Sequence, residues 1–285
     1  MKITSAVNFI IYWLRARPAV NILFIVLYFL AILFLHDPLA QLSLKLEQTI
    51  SLGTYNRLVE VIYVIFLVVL IGVVWKFIKK YSDNTRHKLS YLSLTILFVI
   101  IHSRFMFDSK IEVIHSFEFT FLVFLIFPLV NRFGAAVFFT LPFMLIDEWY
   151  QYTIQYPYLD YFDLNDIVMD TYGCGIAMAL LMIIGVKGQQ EIKPWWKRAE
   201  GISLISLFIL VLVAVKICFI APYASDSCSN TLLVINERYD TEPFLRFHIF
   251  HNTWFHVMKP LEALIVITIV HIFYFGLDSL RKHSA

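Results

Sequence analysis

LVEVIYVIFLVVLIGVVWKFI, residues 58–78, holds one acid (Glu60) and one base (Lys76); apart from Gly72 its other side chains are apolar or aromatic. As a helix rising about 1.5 Å per residue, a run of this length crosses the roughly 30 Å hydrocarbon layer of a bilayer. No alternation and no polar stripe interrupts it, so it has no face to turn to water. Comparable apolar blocks occupy residues 18–36, 89–107, 111–130, 134–151, 164–186, 201–220 and 260–277. The expected fold is an all-α integral membrane bundle of about eight transmembrane helices. With 60% hydrophobic and 15% charged residues and a mean hydropathy of +0.74, the chain lacks the polar surface that a soluble core of 285 residues needs. The 27 Phe and 15 Tyr suit lipid-facing and interfacial positions. A net charge of only +2 gives no reason to expect nucleic acid as a partner, and membrane lipids are the expected surroundings.

Basic residues assign the sides. Fifteen of the 23 Lys and Arg flank the spans on one face, seven lie on the other, and Lys216 sits inside a span. The positive-inside rule then places both termini in the cytoplasm of a multi-pass cell-membrane protein, the cytoplasmic membrane if the source is bacterial. No cleavable signal peptide is expected, since the first apolar block follows Arg15 and Arg17 and is too long for one. Three parts are expected: residues 1–88 with two spans, 89–186 with four, and 187–285 with two and a long outer loop. Gly188 and Pro194 in KGQQEIKPWWKR mark the last boundary. Residues 37–57 carry leucines at helical spacing that suit an interfacial helix. In PFLRFHIFHNTWFHV (243–257), aromatics and histidines alternate over two or three turns. His248 and His251 could suggest a metal site, but the spacing to His256 leaves the helical face, and interfacial histidine is the commoner outcome. Cys174, Cys218 and Cys228 form no metal-ligand spacing; three unpaired thiols are expected, with a Cys218–Cys228 bond the alternative.

The region from Asp108 to Gly175 is the informative one. It contains Asp108, Glu112, Glu118, Asp147, Glu148, Asp160, Asp163, Asp166 and Asp170, while between Ile111 and Val186 the single basic side chain of Lys or Arg type is Arg132, on the opposite face. An ionised carboxylate costs about 2.5–3.5 kcal/mol at mid-membrane, so these acids are protonated, face water or meet a cation. His115 and Glu118 share a helical face, as do Glu148 and Gln151, Asp147 and Gln151, and Asp166 and Asp170. The simplest assembly turns His115, Glu118, Asp147, Glu148, Gln151, Asp166 and Asp170 toward one outward-opening pocket. Asp163 and Asp166 also fit an N-cap and a first-turn acid. Gly173 and Gly175 give the same helix a small face that lets a neighbour approach closely. WYQYTIQYPYLDYF (149–162) reads as an aromatic belt.

These residues also carry a resemblance. The segment of roughly 90–186 resembles the VanZ-like membrane proteins, in which a basic residue and a His open a span with an aromatic just after. Lys110, His115 and Phe119 match this element. Glu148 and Gln151 match a Glu followed three later by Gln near a span end. Pro157, Asp166, Asp170 and Gly173 match a Pro-containing loop, an Asp opening a span, an Asn or Asp four later and a glycine. The arginine usual after the loop proline is absent, since Tyr158, Leu159 and Asp160 follow Pro157; protons or a divalent cation would take over its neutralising role. The resemblance implies a cell-envelope role, the family's namesake being associated with resistance to a glycopeptide, without implying a reaction.

Three functions follow. The pocket binds a lipid or lipophilic compound. Alternatively, His115 with Glu118 or Glu148 performs acid–base chemistry on a lipid-linked substrate, although no serine or cysteine nucleophile stands beside a base. A cation- or proton-coupled transporter ranks third, because the sequence has neither an inverted repeat nor a pair of broken helices.

Overall fold

The computed structural model describes residues 3–78, 85–106, 115–155, 162–221, 233–234, 245–248, 253–256 and 258–279. Helices form at each of the eight apolar blocks: α2 (Pro18–Ile50), α3 (Leu52–Ile78), α4 (Thr85–Phe105), α5 (His115–Val130), α6 (Phe133–Tyr150), α7 (Leu164–Ile183), α8 (Ala199–Lys216) and α9 (Pro260–Phe275). Pro18 and Pro260 open their helices at positions where a missing N–H costs nothing. Six segments among the described residues are long and apolar enough to cross a membrane: Pro18–Ile50, Gly53–Phe77, Arg86–Phe105, Leu164–Ile183, Ala199–Lys216 and Pro260–Ser279. His115–Val130 is a shorter apolar helix. Along α3, Val61, Ile62, Val64, Ile65, Val68, Val69 and Ile71 are all exposed, over about half of the helix circumference, opposite the buried Val59, Leu70, Val74 and Phe77. Such a surface is stable in lipid and not in water.

The core is organised around α7. In the apolar stretch of this helix 89% of residues are buried, against 17% for α3 and α8. α4, α5, α6 and α9 all pack on it, and α2 lies against α5. Between α5 and α7 the backbones come together at Gly173, where an added Cβ would lie 1.7 Å from the Ser116 carbonyl oxygen. The Thr120 hydroxyl sits 2.7 Å from that carbonyl and 3.2 Å from the carbonyl of Gly173, and the Cys174 thiol donates to the Phe119 carbonyl at 3.4 Å. Gly175 makes room for the ring of Tyr274 on α9, whose hydroxyl donates to Thr95 Oγ1 on α4 at 3.1 Å. The small face expected of this helix is thus the seam of the bundle.

Four expectations change. First, a helix not foreseen, α1 (Ile3–Arg15), precedes the first span; Ile11 and Leu14 are buried while Phe9, Ile10 and Tyr12 are exposed. Second, the interfacial segment at 37–57 is not separate. α2 continues through Pro38 to Ile50 and turns at Ser51, whose φ of 66° lies in the left-handed region, directly into α3. Third, the alternation near residue 250 is that of a strand pair: Leu245–His248 runs antiparallel to Thr253–His256, with Leu245 opposite His256. Alternation with a period of two belongs to extended backbone and not to a helix. Fourth, Cys218 is disulfide-bonded, against the expectation of three unpaired thiols, while Cys174 is free and buried.

Candidate functional site

Three of the polar side chains of α2 (Asn21, Tyr28 and His36) are seven and eight residues apart and so share a face. That face meets α5: Asn21 Nδ2 donates to the Leu125 carbonyl (2.9 Å) and the Tyr28 hydroxyl to that of Glu118 (2.9 Å). His36 is thereby held over the start of α5, its ring centroid 5.3 Å from that of His115. α5 and α7 begin, and α6 ends, at this same level, so the first turns of two helices and the last turn of a third face one another.

His115 stands at the centre, with 2% of its surface exposed. Its Nδ1 is 3.7 Å from Glu118 Oε2 and 3.8 Å from Asp170 Oδ1, and its Nε2 is 3.5 Å from Asp166 Oδ2. Glu118 Oε2 is also 3.8 Å from His36 Nδ1. From α6, Asp147 receives a hydrogen bond from Gln151 Nε2 (3.0 Å), across the π-helical turn Gln151–Gln155 that extends the helix. Two sets of donor atoms converge here, His36 with Glu118 and Asp147, and His115 with Glu148 and Asp166. Within each set the atoms lie within 4.8 Å of one another. The seven candidates (His115, Glu118, Asp147, Glu148, Gln151, Asp166 and Asp170) are brought together in one polar cluster, called the chamber below. Asp163 caps α7 instead, its Oδ1 accepting the N–H of Asn165 at 2.9 Å. Asp166, read from sequence as a first-turn acid, occupies that position and also faces His115.

Two site-shaping residues escaped the sequence reading. His36 ends an apolar block next to Asp37 and Pro38, which look like a loop; its signal was the stripe it shares with Asn21 and Tyr28. Asn165, 1% exposed, joins three segments beside the cluster. Its Nδ2 donates to the carbonyls of Met106 and His256 (3.2 Å each), its Oδ1 accepts the Met258 N–H (3.3 Å), and its own carbonyl lies 3.1 Å from His102 Nε2. Lys110, Pro157, Asp108, Glu112 and Asp160 lie outside the described residues, as do the side chains of His248 and His251. Among the other histidines, His256 contacts Glu262 Oε2 (3.0 Å) and His271 is buried on the Ile267 carbonyl (2.7 Å), so both have structural partners.

The far end of the bundle is chemically different. Arg132 pairs with Glu200 (2.8 Å) and Glu191 (3.5 Å). Arg198, 4% exposed, donates to the carbonyls of Lys193 (2.7 Å) and Phe275 (3.2 Å) and to Ser279 Oγ (2.7 Å), and lies 3.8 Å from Asp278. Asp278 in turn accepts the N–H groups of Gly134 (3.0 Å) and Ala135 (3.2 Å), placing negative charge at the N-terminus of α6. The Lys193 N–H donates to Glu191 (3.2 Å) and, with Arg132 and Arg198 nearby, holds that carboxyl below its usual range. Between the two ends Leu122, Val123 and Phe127 of α5, Leu141 and Met144 of α6 and Met178 of α7 are buried together. No protein-family model, curated protein or solved structure matches this chain.

Proposed function

We propose that this is a VanZ-like, eight-span cell-envelope protein with both termini in the cytoplasm, whose chamber performs acid–base chemistry on a lipid-linked substrate at the extracytoplasmic surface. The observation that carries the reading is His115 within 3.5–3.8 Å of three carboxylates supplied by two helices, with His36 from a third beside it. Titratable groups so arranged can pass a proton in either direction when one of them meets a substrate. Topology follows from charge: the Arg132–Glu200 and Arg198–Asp278 pairs lie at the end opposite the chamber, in keeping with the positive-inside bias. Cys218, at the other end of α8 from Arg198, is disulfide-bonded, as expected on an oxidising, outer side. Three elements of the VanZ-like pattern, at His115, Glu148 with Gln151, and Asp166 with Asp170, meet in the chamber, which supports the resemblance.

Simple binding of a lipophilic compound has less behind it. The apolar groove lined by Phe9, Trp13, Leu14, Phe24 and Phe124 lies toward the basic end, where Arg15 donates to Asn131, rather than at the chamber. Transport has less still, since the buried layer around Leu122, Phe127 and Met144 separates the chamber from the basic end among the described residues.

The test is turnover. Protein in nanodiscs made with host-membrane lipids is incubated, and the lipids are compared by mass spectrometry. New lipid-derived products are expected, with formation reduced about 100-fold or more in His115→Ala and in Glu148→Gln. An unchanged lipid profile with native-like wild-type protein would overturn the enzymatic reading.

A further inference from the structure

We infer that the chamber is a divalent-metal centre with mixed histidine and carboxylate donors, built for a first-row transition metal such as zinc or manganese and offering two adjacent positions. The first ligand set is His36, Glu118 and Asp147; the second is His115, Glu148 and Asp166. Donor atoms on one tetrahedral ion, each about 2.0–2.2 Å from it, are about 3.3–3.6 Å apart, so sets gathered within 4.8 Å would close by at most about 1.5 Å as an ion binds. The two sets touch through Glu118, which approaches both histidines, while Asp170 lies against His115 of the second set.

A second, independent observation points to a cation. Asp170 is fully buried, yet neither of its carboxylate oxygens accepts a hydrogen bond; Oδ1 of the fully buried Asp147 is in the same position. Open carboxylate lone pairs in a dry interior are costly unless an ion or a proton occupies them. No lysine or arginine among the described residues is seen to pair with Glu118, Asp147 or Asp170; the basic side chains beside Glu118 and Asp170 are histidines. Two divalent ions would bring four positive charges to the five carboxylates of Glu118, Asp147, Glu148, Asp166 and Asp170.

The donors select the metal. Imidazole nitrogen beside carboxylate oxygen suits zinc, manganese or iron, whereas calcium takes six to eight oxygens and copper(I) takes sulfur. The buried thiol of Cys174 is turned away, toward the Phe119 carbonyl, and belongs to neither set. The donors sit on four helices and not on loops, which fixes the geometry before any ion arrives.

The inference deepens the acid–base reading and rests on it for purpose, because a bound ion polarises a substrate oxygen and acidifies its water. Its test is independent of turnover. Full-length protein in nanodiscs, stripped with chelator and freed of affinity tag, is titrated with zinc or manganese and assayed by elemental analysis; cobalt is added separately and its visible absorption recorded. About one or two ions per chain are expected, with intense cobalt bands of low coordination number. Affinity should fall about 10–100-fold in Asp170→Asn and Asp147→Asn, each checked for a native gel-filtration profile. Substoichiometric metal with the pale spectrum of hydrated cobalt in the wild type would overturn the inference, whatever the variants do. So would equal affinity in wild type and well-folded variants. Metal-free turnover that still depends on His115 would remove the metal and leave the acid–base reading; metal uptake without turnover would do the reverse.

Discussion

Gly173→Ala is expected to leave little or no folded protein after detergent extraction. The new Cβ would meet the Ser116 carbonyl oxygen at 1.7 Å, the carbonyl carbon at 2.5 Å and Cα at 2.8 Å. All three atoms are backbone, so no rotamer change can relieve the clash and α5 must move away from α7. Overpacking of a tight core costs about 1–3 kcal/mol and more where rigid elements are forced apart; the upper end or beyond applies here. Separation would also break the Thr120 and Cys174 contacts across the seam and carry His115, next to Ser116, away from Asp166 and Asp170. Fluorescence-detected gel filtration after a heat step reads the effect. Gly72→Ala is the control: nothing lies within 4 Å of its Cβ, and it should be neutral or stabilising by up to about 1 kcal/mol. Equal stability of the two variants would mean that α5 and α7 do not meet at Gly173.

Arg198→Met should be nearly as damaging, at about 3–5 kcal/mol, because it strands a buried acid. Without the guanidinium, Asp278 loses its nearest cation while keeping the N–H groups of Gly134 and Ala135, and the carbonyls of Lys193 and Phe275 lose a donor. Arg198→Lys should not restore stability, since a single ammonium cannot reach Lys193, Phe275 and Ser279 together. Thermal unfolding in detergent checks both variants; a rescue by lysine would reduce the network to a simple charge pair.

The positions of α2 to α9 could be read from hydropathy alone, because each carries an apolar run with little polar interruption. α1 could not, since half of it faces the protein and its apolar content is diluted by Asn8, Ser5 and Arg15. The strand pair near residue 250 was misread because alternating aromatics over a short stretch fit both periods. At the site, the clustering of these seven side chains was legible because carboxylates in apolar helices have few innocent explanations. His36 was hidden by the proline that follows it, and Asn165 by its place beside two acids that draw more notice. Asp278 lies just beyond an apolar block, where only the fold brings it to Arg198 and to the start of α6.

The unbroken run of α2 also sets a scale. Its 33 residues reach about 50 Å, some 20 Å more than the oily layer is thick. His36 comes about 27 Å along it, so the first turn of α2 and the carboxylate cluster are separated by nearly the whole thickness of such a layer. The turns beyond His36 add about 21 Å more, a rigid rod that overshoots the cluster by several helical turns.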